Sequence, residues 1–144
     1  MELTSASAAQ TRSLGSRLGA RLQPGDCIAL RGQLGAGKTT LVQGIVAGAG
    51  GGHDVRSPTF LLHAVHPGRV TVHHLDLYRL PEDTDLLTLG LDEALQDGAA
   101  VVEWADRAAP GWFSGEVEIS WASGQERRLS FRLVPRLAEA LSGG

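Results

Sequence analysis

The sequence predicts an α/β fold in which a mixed parallel and antiparallel sheet is flanked by helices. Three observations carry that reading. An apolar run, Cys27–Arg31, leads into the glycine-rich stretch Gly32–Thr39, after which Leu41, Val42, Ile45, Val46 and Ala49 recur at helical spacing. A second continuous apolar run, Ala99–Val102, reads as a strand buried on both faces. Two alternating stretches, Glu116–Ala122 and Arg127–Val134, joined by Ser123-Gly124-Gln125, read as an antiparallel hairpin. The connections are too short for a fully doubly wound fold, which favours a mixed sheet.

The elements follow in order. From about Ser5 to Leu22 the chain reads as an amphipathic helix, with Ser5 or Ser7 as cap and Leu14, Leu18 and Leu22 on one face. Pro24-Gly25-Asp26 makes the turn into the first strand. After the glycine loop and its helix, Gly50-Gly51-Gly52 forms a loop. Pro58 holds Ser57 extended ahead of Phe60-Leu61-Leu62, a strand entrance. Val70–Leu77 is a further strand. Pro81, Glu82, Asp83 and Asp85 open a short helical segment whose apolar side is Leu86, Leu87, Leu89, Leu91 and Leu95. A short helix over Arg136–Leu141 closes the chain.

A length of 144 residues, with 42% hydrophobic and 20% charged residues, suits one domain over 1–144. Within it the N-terminal helix covers 5–22, a nucleotide core 25–105, and the hairpin with its last helix 116–141. No apolar stretch approaches a membrane span, and the N-terminus lacks the basic-then-apolar order of a signal peptide. Cys27 is the one cysteine and reads as a small core residue. The expectation is a cytoplasmic protein with no membrane partner. A net charge of −3 argues against autonomous nucleic-acid binding, so any RNA would be held through a partner.

Gly32–Thr39 fits the phosphate-binding pattern G-x-x-x-x-G-K-[ST] in the strand–loop–helix setting that pattern needs. Glycines let successive N–H groups turn toward phosphate oxygens, and the helix adds its positive end. Lys38 supplies a flexible point charge and Thr39 a hydroxyl for Mg²⁺. Lys38 is also the chain's one lysine, so arginine fills every other basic position. The fold expected is therefore a P-loop NTPase.

Such a site needs an acid near Mg²⁺ at the end of a neighbouring strand. Glu103 follows the buried run 99–102, and Asp76 follows Val72-His73-His74-Leu75, so both qualify, with a solvated rim residue as the lesser alternative, weaker for Glu103 than for Asp76. His63, His66, His73 and His74 lack the cysteines or the HExxH spacing of a zinc site. Arg127, Arg128, Arg132 and Arg136 read first as a solvated strand face, with a phosphate, RNA or partner contact as the alternative.

Taken together, Gly32-x-Leu34-Gly35-Ala36-Gly37-Lys38-Thr39-Thr40, Val55-x-Ser57-Pro58-Thr59-Phe60, His74-x-Asp76-Leu77-Tyr78-Arg79-Leu80 and Glu103-Trp104 closely resemble the TsaE family. These are small bacterial ATPases of tRNA threonylcarbamoyladenosine biosynthesis. The resemblance implies a slow, partner-dependent ATPase that supports a TsaB–TsaD complex and meets tRNA only through it. It implies that Gly35, Ala36, Gly37, Lys38, Thr39 and Thr40 hold the ATP phosphates, with Thr59 near the γ-phosphate. By the same resemblance Thr39 and Glu103 hold Mg²⁺, Asp76 serves hydrolysis, and Thr11 and Trp104 lie beside the nucleotide. Lys38, Asp76 and Glu103 are thus the expected catalytic set. The family often has a second threonine after Ser-Pro-Thr-Phe; Leu61 stands there, so that hydroxyl's contact is not carried over.

Two other readings share the motif: a nucleotide-dependent protein-association switch with incidental hydrolysis, and a small-molecule P-loop kinase. The kinase reading lacks an obvious lid insertion.

Overall fold

A computed structural model describes residues 1–33, 35–52, 63–77, 90–103 and 113–142. The chain runs β1 (Glu2–Ser5), α1 (Ala8–Gly19), β2 (Cys27–Arg31), α2 (Lys38–Gly48), β3 (His63–His66), β4 (Thr71–Asp76), α3 (Leu91–Asp97), β5 (Gly98–Glu103), β6 (Gly115–Ser123), β7 (Glu126–Leu133) and α4 (Pro135–Ala138). The described strands form one sheet in the order β1-β7-β6-β2-β5-β4-β3. β4, β5, β2 and β6 run parallel to one another, while β3, β7 and β1 pair antiparallel. The mixed sheet expected from the sequence is the one observed.

Side-chain alternation divides the core into two layers. Ile28, Leu30, Val72, Val101, Val117 and Ile119 face the layer that holds Leu18 of α1 and Leu41 and Ile45 of α2. Ala29, Leu75, Ala100 and Val102 face the other, against Leu91 and Leu95 of α3. β5 is buried at every position, as its apolar run predicts, and lies between β2 and β4. Cys27 is buried, and burial, with Asp26 adding, pushes its thiol up to about 12, which leaves it an inert core residue.

α1 and α2 meet backbone to backbone. A Cβ added at Gly19 would run into the carbonyl oxygen of Ile45, and one at Gly44 into that of Arg12. Only a hydrogen in place of the side chain allows this approach, and it fixes the N-terminal helix against the helix that follows the glycine loop.

The structure corrects the N-terminal boundary. The helix expected over 5–22 spans Ala8–Gly19 and is preceded by β1, whose Glu2–Ser5 pair with Ser130–Arg127 of β7. Ser7 is the cap: its Oγ accepts from Gln10 N at 3.2 Å. Ser5 is buried instead, sharing a 2.7 Å hydrogen bond with Thr11. The strand expected over Val70–Leu77 narrows to β4, and the closing helix expected over 136–141 to α4. The hairpin turn is Gly124-Gln125, with a register shift between Trp121 and Ser123. The Ser57–Phe60 segment and the helical opening at Pro81–Asp85 lie outside the described residues.

Candidate functional site

β2 ends at Arg31, and the chain loops back into α2 at Lys38. Gly37 immediately precedes the helix with φ +109°, a conformation that strains any residue with a Cβ. At Gly32 space is the limit: a Cβ would lie 2.6 Å from the carbonyl oxygen of Ile119 in β6. The loop closes on itself where Ala36 N–H donates to Gln33 O at 3.0 Å. Gly35, Ala36 and Gly37 lead directly into α2, whose first three residues are Lys38, Thr39 and Thr40. The first turn of α2 carries no acidic residue, so nothing on the helix itself offsets its positive end.

Parallel pairing brings the two candidate acids together. Asp76 is the register partner of Glu103, and Glu103 also pairs with Leu30 at the end of β2. Alternation from Val72 and from Val101 puts Asp76 and Glu103 on the α2 side of the sheet. Glu103 is only 6% exposed. Its Oε1 lies 3.6 Å from Lys38 Nζ, and its Oε2 lies 2.6 Å from His74 Nε2. Burial alone would raise this carboxyl's pKa. The hydrogen bond and charge of His74, followed by those of Lys38, outweigh it and hold Glu103 below the usual carboxylate range.

His74 is fully buried. A carboxylate can only accept, so Nε2 carries the hydrogen that joins the two residues. Its Nδ1 is buried with no hydrogen-bond partner among the described residues. The His66 ring lies 6.4 Å away, centroid to centroid. Burial, with His74 adding, lowers the pKa of His66. Burial also lowers that of His73 on the opposite face, against an upward pull from Asp97.

A cleft of about 710 Å³ opens between the glycine loop and the hairpin, with Gly32, Gln33, Ala36, Lys38, Trp121 and Arg127 on its walls. Arg127 ties the two walls: its Nε donates to Ala36 O at 3.0 Å and its Nη1 to Gly124 O at 3.2 Å. Trp121 is 64% exposed, and its indole N–H donates to Gly124 O at 2.8 Å. Lys38 belongs both to the cleft wall and to the carboxylate cluster beneath it.

The structure thus brings together Gly35, Ala36, Gly37, Lys38, Thr39, Thr40, Asp76 and Glu103. Thr11 is 2% exposed in α1, with its hydroxyl shared with Ser5. Thr59 and Trp104 lie outside the described residues. The arginine group divides. Arg127 braces the loop, Arg136 reaches Asp26 Oδ1 at 2.5 Å, and Arg128 and Arg132 are exposed.

Sequence reasoning missed Trp121 altogether, and it named His74 and Arg127 without the roles they take here. His74 had a signal, since it sits two positions before Asp76 and so shares its face of β4. Arg127 was legible only as one of an arginine cluster, and Trp121 had no signal, because the hairpin reaches the loop only through tertiary pairing.

The oxygens on offer, the Thr39 hydroxyl and the Glu103 and Asp76 carboxylates, are hard donors that suit Mg²⁺ better than a transition metal. Glu103 held in its ionised form fits that role. Among the described residues no three His, Cys, Asp or Glu side chains are grouped to hold a metal unaided. A cation here would draw further oxygens from bound phosphates and water.

The family model described as threonylcarbamoyl adenosine biosynthesis protein TsaE matches residues 5–130. The chain is 40% identical over 110 residues to a tRNA threonylcarbamoyladenosine biosynthesis protein TsaE of Treponema pallidum, covering 76% of this chain and 82% of that one. It is 33% identical over 136 residues to the TsaE of Bacillus subtilis, covering 92% and 85%. Among solved structures it is similar to Bacillus subtilis YdiB, with a TM-score of 0.75 and 27% identity over 99% of this chain and 93% of that one.

Proposed function

The chain belongs to the TsaE family, and from that premise we propose that it is a slow Mg²⁺-dependent ATPase serving tRNA threonylcarbamoyladenosine biosynthesis. Its working partners on this reading are TsaB- and TsaD-type proteins, with tRNA held by that complex. The observation that carries the reading is the meeting of loop and acid, in which Lys38 Nζ lies 3.6 Å from Glu103 Oε1 beneath a cleft walled by the glycine loop.

In this reading the backbone of Gly35–Gly37 and the start of α2 hold the phosphates of ATP. Lys38 leaves Glu103 to place its charge on the β- and γ-phosphates. Thr39 and Glu103 would hold Mg²⁺, and Asp76, beside Glu103 in register, would orient the attacking water. When bound, Mg²⁺ would neutralise charge that develops on the phosphate oxygens. Positioning and electrostatics supply the catalysis, and no covalent step on the protein is needed. The 64% exposed ring of Trp121 offers a flat apolar surface to the base end of the cleft.

Lys38→Ala tests the assignment. The variant should lose about 10²-fold or more in turnover or ATP affinity, measured by phosphate release and by equilibrium titration with ATP. A variant that hydrolyses ATP at the parental rate would remove this loop from the function.

A further inference from the structure

His74 occupies a position where an apolar residue would pack at no desolvation cost. Its neighbours in the strand, Val72 and Leu75, are core residues, and the ring is wholly excluded from solvent. One ring nitrogen has no hydrogen-bond partner among the described residues. A buried polar group left half-satisfied is destabilising unless its other bond is valuable. That other bond is the 2.6 Å contact to Glu103, a short charge-assisted one.

The bond also sorts the two carboxylate oxygens. Oε2 is committed to His74, which leaves Oε1 directed toward Lys38 and the glycine loop. A glutamate has three side-chain torsions to order before both oxygens are placed, and a donor fixed in the core strand β4 orders them in advance. The same strand carries Asp76, two residues on and on the same face. One rigid element therefore sets both carboxylates.

We propose that His74 is a positioning residue: its Nε2–H holds Glu103 so that the other carboxylate oxygen is presented to the divalent cation that accompanies the bound triphosphate. This rests on reading Glu103 as a ligand of that cation. Groups that orient a metal ligand in this way change metal affinity by about 10- to 100-fold when removed.

The test is Mn²⁺ binding, followed by electron paramagnetic resonance, to the full chain loaded with an imido analogue of ATP. Three variants are compared with the parent. His74→Gln places an amide N–H where Nε2–H stood, His74→Asn places one at the Nδ1 position, and His74→Leu removes the donor. Mn²⁺ affinity should fall about 10- to 100-fold in the Leu and Asn variants and stay within about threefold of the parent in the Gln variant. Binding of the analogue in the presence of EDTA should be the same in all four proteins.

Parental Mn²⁺ affinity in His74→Leu would overturn the proposal, and so would an equal loss in Gln, Asn and Leu, which would mark a packing effect. Should the Leu variant fail to fold, the Gln and Asn pair still decides the matter, because both carry the same amide donor and only Gln brings it to the Nε2 position. A parent that binds the analogue but no Mn²⁺ would instead overturn the reading of Glu103 as a metal ligand, and the proposal with it.

Discussion

The two ends of the sheet put their charged residues in opposite places. Where the parallel strands β4 and β5 meet the glycine loop, partnered charge is inside. The side chains of His74, of Glu103 and of Lys38 at the start of α2 are 0%, 8% and 10% exposed, and Glu103 contacts both of the others. In the antiparallel wing of β7 and β1, charge is outside. Arg128 and Arg132 face solvent, alternating with buried Leu129 and Phe131. β6 joins the two regimes, parallel to β2 on one side and antiparallel to β7 on the other. Burial makes a charge expensive unless it is partnered, and Glu103 is partnered on both carboxylate oxygens. The wing acts on the site by bracing it: Arg127 grips a loop carbonyl.

The largest break in that comparison comes from behind the parallel strands, at the contact of α1 with α2. Gly19→Ala in an open helix would stabilise by about 1 kcal/mol. Here the new methyl meets the backbone of Ile45, so the change should destabilise by about 1–3 kcal/mol, read from the urea midpoint. A raised midpoint would show that the helices do not touch as described.

The wing offers a sharper contrast within one strand. Arg127→Ala removes a charge-assisted bond to the loop and should cost about 1.5–3 kcal/mol, with weaker ATP binding alongside. Arg132→Ala, on the exposed face, should stay within about 0.5 kcal/mol of the parent. Equal effects from the two would dissolve the distinction between bracing and solvated arginines.

The smallest effect is on pH dependence, and it resides in β3, β4 and β5. His66 and His73 have folded pKa values lowered from 6.5, chiefly by burial, so the unfolded chain takes up protons first as pH falls. Stability should therefore decline on acidification below about pH 6.5. Glu103 acts in the same direction at lower pH. Its folded pKa lies below 4.5, because His74 and Lys38 outweigh the upward push of burial, and its contribution is lost as pH falls from there through the folded value. The urea midpoint at pH 5.5 should be lower than at pH 7.5, and an unchanged midpoint would contradict these assignments.

What was legible in the sequence follows the same division. Cys27–Arg31, the glycine loop and Ala99–Val102 announce themselves because a strand buried on both faces and a phosphate loop are local patterns. The hairpin was legible from its alternation. β1 was not, because Glu2–Ser5 becomes a strand only by pairing with residues more than 120 positions away. The placement of Asp76 beside Glu103 depends on register between strands, which no single segment encodes. The grip of Arg127 on Ala36 depends on the hairpin's reach, and the motif around Lys38 gives no hint of it.

The central claim is that ATP is held with Mg²⁺ at the ends of the parallel strands through Glu103. The most direct measurement is the Mg²⁺ dependence of ATP hydrolysis in Glu103→Gln, which keeps the side chain's shape and removes its charge. Turnover should fall by about 10²-fold or more at saturating ATP, and the Mg²⁺ needed for half-maximal rate should rise. Parental turnover at the parental Mg²⁺ concentration would contradict the account.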